Sequence, residues 1–512
     1  MGLFPSANDF KAGKGVEKDA PRKTGIGRFF ELVGRDMNGM FLANLLTCIG
    51  FAPVICLVYI SFLQNSLPVM LGSAAVGGLL AGPALAGMYD TVLRALRDEL
   101  CMPVAALLDT KGPEIRLKNF KNGKVTLKAG QTFTLTTRDV EGDENICSIT
   151  YKELPQDLTP GARVLLDDGL VGMKVDAIQG DDIICTVQNG GPVSNHKGVN
   201  VPGTKLSMPY MSAQDRDDIL FGIEQDVDFI AASFVRSAKD VLEIRELLNA
   251  NGGNNINIIS KIENSEGVNH IDDIIYVSDG IMVARGDMGV EIPCEEVPVI
   301  QKMIIKKVIA AGKVVITATQ MLDSMIKNPR PTRAETTDVA NAIYDGTSAV
   351  MLSGESAAGK YPVEAVEMMA KIAERAEAAK KAPAKRTAAK KTTTAKKTTT
   401  TKKTTAIDLN AAAVIIVTKS GVSARNISKY RPSCNIIAGT TSDKAYRQLN
   451  MSWGVSPVHL EEQNEVFTLF DHAVAAGKKQ GLLQPGDKVV IGAGVPLGIS
   501  GNTNMLKVQV VE

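Results

Sequence analysis

Six short apolar runs, separated by longer mixed segments, constrain this chain most: residues 104–108, 227–234, 256–262, 280–284, 314–319 and 349–352. Uninterrupted apolar runs of this length suit strands buried on both faces, as in a parallel sheet. Helical patterns lie between several of them. The segment 237–248 opens on Ser237, which can cap a helix, and 299–310 follows Pro298. This strand–helix alternation predicts a parallel sheet with helices outside it. In a (β/α)8 barrel the polar residues at the C-terminal strand ends form the active site. Polar residues do stand there: Asp109 and Thr110, Lys261 and Glu263, Asp287, Thr319, and Ser353 and Glu355.

Two of these ends are unusual. The run Ile256-Asn-Ile-Ile-Ser-Lys-Ile-Glu-Asn264 places Lys261 and Glu263 two residues apart, on one face of a strand. The run Gly280-Ile-Met-Val-Ala-Arg-Gly-Asp-Met-Gly289 ends in Arg285 and Asp287. Burying such charges is expensive unless they bind a partner. Two acids and two cations on consecutive strand ends point to a metal and phosphate site, with a structural ion-pair network as the plainer alternative.

The rest of the 512 residues divides by texture. Residues 117–202 interrupt the alternation with short alternating strands and turns, which predicts a small inserted β domain. From 407 onward a last α/β unit is expected, with strands at 412–418, 435–438, 455–460, 488–492 and 505–511. Residues 37–89 carry no charged side chain and hold two apolar stretches, 40–63 and 69–88, split by Gln64-Asn-Ser66. Each suffices for one helical bilayer crossing of ~20 residues. Arg22, Lys23, Arg28 and Arg35 precede them, and Arg94 and Arg97 follow. This predicts a transmembrane helical hairpin with both ends in the cytoplasm.

Residues 380–405 are almost wholly Lys, Thr and Ala, with cations and no acid. Such a tract cannot make a core, so a disordered linker is expected, leaving the last domain loosely attached. It has no aromatic residue for stacking on bases, so no nucleic-acid partner is assigned. The expected division is therefore 1–98, membrane region; 99–116 with 203–378, barrel; 117–202, insert; 379–406, linker; and 407–512, last domain. The seven cysteines form no CxxC pair, which fits free thiols in a reducing cytosol, and four dispersed histidines are too few for a His-based metal site.

Several segments resemble pyruvate kinase of the bacterial, clostridial-like kind. They are Leu107-Leu-Asp-Thr-Lys-Gly-Pro-Glu-Ile-Arg116, Lys197-Gly-Val-Asn-Val-Pro-Gly203, Ile259-Ser-Lys-Ile-Glu-Asn264, Met282-Val-Ala-Arg-Gly-Asp287, Ala318-Thr-Gln-Met-Leu322, Pro329-Arg-Pro-Thr-Arg-Ala-Glu335 and Met351-Leu-Ser-Gly-Glu355. Val417-Thr-Lys-Ser-Gly421 and Lys429-Tyr-Arg-Pro432 match in the last domain. The resemblance covers roughly 100–378 and 407–512. It departs in two places. The family opens with two further barrel strands and an Ala-Arg-Leu-Asn-Phe-Ser-His-Gly segment, which is not in this sequence, and the Lys/Thr/Ala tract stands where a helical connection is usual. Residues 1–98 instead resemble a small bacterial membrane protein of the YesL-like type. An incomplete TIM-type (β/α)8 barrel is therefore expected.

The resemblance implies phosphoryl transfer from phosphoenolpyruvate to ADP, followed by protonation of the enolate. It places Mg²⁺ on Glu263 and Asp287 and makes Lys261 an electrostatic clamp on the transferring group. The backbone at Arg285 and Gly286 would receive the substrate carboxylate. Thr319 would stand beside the protonated carbon, with Ser353 and Glu355 as a proton relay. Arg116 and Lys197 would meet phosphates, and Asp109 and Thr110 would supply half of a K⁺ site. Thr418, Lys419, Ser420 and Gly421 would form a sugar-phosphate effector turn, although Val422 stands where effector-activated members are often basic. A homotetramer is implied, its catalytic part in the cytoplasm and tethered to the inner face of the membrane. Without the first two strands, activity is expected to be impaired; the alternative is a non-catalytic relic or fusion.

Overall fold

The computed structural model describes residues 102–381, 409–463, 465–495 and 503–512, together with Arg97 and Ala406. The expected hairpin at 37–89 and nearly all of the Lys/Thr/Ala tract lie outside the described residues. Among the described residues no helix is long and apolar enough to cross a membrane.

Strand β1 (Leu107–Asp109) leads into the insert, whose strands are β2 (Lys124–Leu127), β3 (Thr132–Thr136), β4 (Ile146–Ser148), β5 (Arg163–Leu166), β6 (Val171–Gln179), β7 (Asp182–Val187), β8 (Gly191–Ser194) and β9 (Val199–Asn200). The chain then returns to β10 (Phe229–Ala232), β11 (Asn257–Ile262), β12 (Gly280–Ala284), β13 (Val314–Ala318) and β14 (Ala349–Val350). These five pair with β1 in the order β1-β10-β11-β12-β13-β14, all parallel.

The apolar runs are continuous because both faces of this sheet are covered. Ile230, Ile258, Ile281, Val283 and Val315 pack on one side with Ile244, Leu248, Ile304 and Val308 of the surrounding helices. Their sequence neighbours Phe229, Ala231, Ile259, Met282 and Ile316 form a separate core on the other side. Each of the Val, Leu, Ile, Phe and Met side chains contributes ~1.5–3 kcal/mol by leaving water. Gly280 allows the strands to approach: a Cβ there would lie 2.6 Å from Ile259 Cδ1 and 2.9 Å from the Val314 carbonyl oxygen.

The first run is shifted from its expected position, since Val104 is outside the strand and β1 reaches Asp109. Val104 and Leu107 are exposed, as befits the sheet's edge among the described residues. The helix expected from 299 spans Val297–Ala311, because proline is tolerated in a first helical turn. It stops at Gly312, whose φ of 75° is left-handed.

The insert has its own core, including Phe133, Leu135, Leu166, Met173 and Ile183, between sheets β2-β8 and β4-β3-β7-β6-β5-β9. The last unit holds β15 (Ala413–Val417), β16 (Asn435–Thr440), β17 (Val455–His459), β18 (Lys488–Ala493) and β19 (Met505–Val510) in the order β17-β16-β15-β18-β19. Only β19 runs antiparallel to its neighbour in that sheet.

The last unit is not loosely attached, contrary to expectation. From the helix Asp443–Leu449, Lys444 Nζ meets Asp226 Oδ1 at 2.6 Å, and Arg447 Nε meets the buried Asp228 at 2.8 Å. Gln448 Nε2 donates to the carbonyls of Asp228 and Asn255. These contacts fasten the unit to the segments just before β10 and β11.

Candidate active site

The parallel register brings the ends of β1, β10 and β11 side by side, with Asp109 opposite Ala231 and Ala232 opposite Ser260. Lys261 therefore reaches across two strands. Its Nζ lies 3.2 Å from Asp109 Oδ1 and 3.2 Å from Glu263 Oε1, and it donates to Ser233 Oγ at 2.8 Å. Glu263 is only 1 % exposed, and its Oε2 accepts from the Phe234 amide at 2.6 Å. Burial pushes the Glu263 carboxyl up to about 7; Lys261 opposes this and Asp287 adds to it. Burial pulls Lys261 down, but Glu263 and Asp109 outweigh it, so the ammonium is held above its ordinary range. Lys261 is thus cationic, while burial leaves Glu263 poised for a second positive charge.

Asp287 opens the helix Arg285–Glu291 just past β12. Burial raises its carboxyl too, against the pull of Lys261. Gly286 donates its amide to Thr319 Oγ1 at 2.7 Å. Thr319 and Gln320 have φ of 67° and 55°, two successive left-handed residues at the end of β13. Such a conformation is costly for residues other than glycine and is held by its surroundings.

Other expected site residues fall into three groups. Arg116 and Lys197 line a cleft of about 610 Å³ between the insert and the barrel sheet, together with Asp287, Phe234, Arg236 and Asn264. Arg116 pairs with Glu114 at 2.7 Å and donates to the His196 carbonyl, and Lys197 pairs with Asp167 at 2.8 Å. Thr110 is buried; its hydroxyl donates to the Ala231 carbonyl and accepts from the Ser233 amide. In the last unit, Gly421 turns with φ of 77° and gives its amide to Thr418 Oγ1, with Lys419 and Ser420 between them.

Two expected site residues have partners of their own in the fold. Arg285 was expected as the second cation of the site, but its guanidinium turns away. It binds Asp338 at 2.6 and 2.8 Å and donates to the carbonyls of Ala318 and Thr319. Glu355 was expected in a proton relay, yet it is buried and accepts the amides of Leu322 and Ser353. Ser353 Oγ beside it is buried with no hydrogen-bond partner among the described residues.

Among the described residues no cluster of three or more His, Cys, Asp or Glu side chains could hold a metal ion. Glu263 and Asp287 nevertheless suit Mg²⁺, which takes one or two carboxylates and completes its shell with water and substrate oxygens.

The comparisons with known proteins decide the family. A model of the pyruvate kinase barrel domain matches residues 87–366, and one of the pyruvate kinase alpha/beta domain matches 396–509. The chain is 54% identical over 425 residues to a pyruvate kinase of Clostridium acetobutylicum, covering 82% of this chain and 90% of that protein. It is 52% identical over 414 residues to one of Geobacillus stearothermophilus, covering 80% and 70%. It is 48% identical over 424 residues to one of Clostridium perfringens, covering 82% and 90%. The chain belongs to the pyruvate kinase family. It is a phosphotransferase.

Sequence reasoning missed Ser233 and the Phe234 amide, the two groups of this kinase site that touch Lys261 and Glu263 from β10. The available signal was weak: Ser233 is a small polar residue inside an apolar run that includes Phe234 and Val235. It also missed Asp338, which lies 53 residues from the arginine it binds.

Proposed function

We propose that the strand ends around Lys261 and the cleft beside them transfer the phosphoryl group of phosphoenolpyruvate to ADP, giving pyruvate and ATP. The observation that carries this reading is the half-buried Lys261 ammonium set among Asp109, Glu263 and Ser233, next to Asp287. Phosphoryl transfer needs positioning and charge neutralisation more than covalent chemistry. Lys261 provides a fixed positive charge in a water-poor setting, where it is most effective. Glu263 and Asp287 would hold Mg²⁺, which when bound neutralises and orients phosphate oxygens. Asp109 and Thr110 would contribute to a K⁺ site. Arg116 and Lys197 stand on the insert's side of the cleft, where incoming phosphates can displace their present carboxylate partners. The amides at the start of the helix Arg285–Glu291 would receive the substrate carboxylate, the Gly286 amide exchanging its present Thr319 Oγ1 partner for it, and Thr319 would stand next to the carbon that gains a proton.

The turn 418–421 would receive a phosphorylated effector, the subunits would assemble as a homotetramer, and residues 37–89 would tether the catalytic part to the inner face of the membrane. The non-catalytic reading is not favoured, since Asp109, Lys261 and Glu263 converge beside Asp287 and the chain is 48–54% identical to pyruvate kinases over most of its length.

The test is a lactate-dehydrogenase-coupled assay of the purified 512-residue protein. Turnover should require both Mg²⁺ and K⁺, and Lys261→Ala should lower it by roughly 10²–10³, the usual effect of losing one transition-state charge contact. Turnover indifferent to Lys261→Ala would refute the assignment.

A further inference from the structure

We infer that Ser233 and Phe234, at the end of β10, form a positioning device that grips both members of the Lys261–Glu263 pair, and that the Ser233 hydroxyl fixes where the ammonium stands. The inference rests on the role proposed above for Lys261.

The geometry is specific. Ser233 is 2 % exposed. Its hydroxyl accepts from Lys261 Nζ at 2.8 Å and donates to Asp109 Oδ1 at 3.2 Å. A serine hydroxyl has one proton and two lone pairs, so both bonds form at once and each fixes the other's direction. Asp109 also accepts from the lysine, at 3.2 and 3.3 Å, and Glu263 Oε1 stands 3.2 Å away, but these contacts are longer and rest mainly on charge, which is weakly directional. Lysine has a flexible four-carbon stem. The hydroxyl is the short, directed contact that selects one position within the carboxylates' field.

Ser233 is itself immobilised. Its amide donates to Thr110 Oγ1 at 3.2 Å, and its carbonyl accepts from the buried Tyr210 hydroxyl at 3.1 Å. Gly112 presses on it so closely that a Cβ there would stand 2.8 Å from the Ser233 carbonyl oxygen. The next residue then takes a rare turn: Phe234 has φ of 52°, left-handed for a bulky side chain. That turn aims its amide at Glu263 Oε2, at 2.6 Å. Consecutive residues thus hold the cation and its carboxylate partner, and neither needs to touch the reacting atoms. Strained backbone persists where the surroundings over-determine it; here they are Thr110, Tyr210, Gly112 and Glu263.

The experiment uses the full chain and four variants: Ser233→Ala, Ser233→Thr, Lys261→Ala and the double variant Ser233→Ala/Lys261→Ala. Steady-state kinetics and the thermal midpoint are measured for each. Ser233→Ala should lower kcat about tenfold while leaving the KM for ADP within about twofold and the thermal midpoint unchanged. Ser233→Thr, which keeps the hydroxyl, should recover at least half of the lost rate. In the Lys261→Ala background, Ser233→Ala should cost less than about twofold more, because the hydroxyl acts through the lysine. If Ser233→Ala does not fold, Ser233→Cys replaces it in both backgrounds, since a thiol is close in shape and a weak hydrogen-bonding group. The inference is overturned if kcat stays within twofold, or if the same loss appears with and without Lys261. A loss with Lys261→Ala but none with Ser233→Ala defeats the positioning role alone. No loss with Lys261→Ala defeats the reading of Lys261 itself.

Discussion

Replacing Arg447 with alanine tests how the last unit is held to the barrel. Asp228 has no measurable exposure, and the Arg447 side chain is 14 % exposed, so their 2.8 Å contact is shielded from solvent. Removing one partner of a buried pair typically costs ~3–5 kcal/mol, because the remaining charge stays buried. Asp228 keeps the Ala106 amide at 2.8 Å, and Arg447 also touches Asp226 at 3.1 Å, a partly exposed contact worth little. The low end of the range, ~3 kcal/mol, is therefore expected. The single tryptophan, Trp453, lies in the last unit under the Arg431 guanidinium, 4.3 Å from its ring centre, so its fluorescence reports that unit's unfolding. With a urea slope of ~1–3 kcal/mol per M, the midpoint should fall by about 1–3 M. Pairing Asp228→Asn with Arg447→Met should restore part of the loss, since neither variant side chain is an orphaned charge. A midpoint within 0.3 M of the parent (about a tenth to a third of the expected shift), or a double variant as unstable as Arg447→Ala, would refute the reasoning.

Three further outcomes are expected. Glu263 has a folded-state pKa of about 7 against an ordinary 4.5, so the fold binds its proton more tightly than the unfolded chain does. Without Mg²⁺ its contribution to stability is fully present below 4.5 and lost as pH rises towards 7; Glu263→Gln should flatten that segment of a thermal-midpoint profile, and a profile unchanged by the substitution would count against it. The resemblance implies an Ala-Arg-Leu-Asn-Phe-Ser-His-Gly segment that this sequence does not contain; on that reading turnover should be roughly 10²–10³ below that of a pyruvate kinase containing it, as for loss of one ~3–4 kcal/mol contact, and parity within tenfold in the coupled assay would disprove it. Trypsin should cut first within 380–403, yet the C-terminal fragment should co-elute with the barrel on gel filtration, held by Lys444, Arg447 and Gln448. Separation of the two pieces in native buffer would show those contacts to be too weak.

Local chemistry made a large part of this protein readable in its sequence. The six runs became β1 and β10–β14 because strands covered on both faces must be apolar throughout, and helix starts at Ser237 and near Pro298 follow from capping and backbone geometry. Lys261 and Glu263 could be joined because a strand's two-residue period puts them on one face. Tertiary structure decided where long side chains point and which distant groups meet. Arg285 and Lys261 look alike as cations at strand ends, but Asp338, brought in by the helix Arg333–Asp345, draws Arg285 away from the site. Ser233 gained its place only when parallel register set β10 between Asp109 and Lys261. Asp228 and Arg447 stand 219 residues apart, and no local pattern marks them as partners. Periodicity and backbone preference act over a few residues and are written in the sequence, whereas charge pairing depends on three-dimensional distance, which only the folded chain sets.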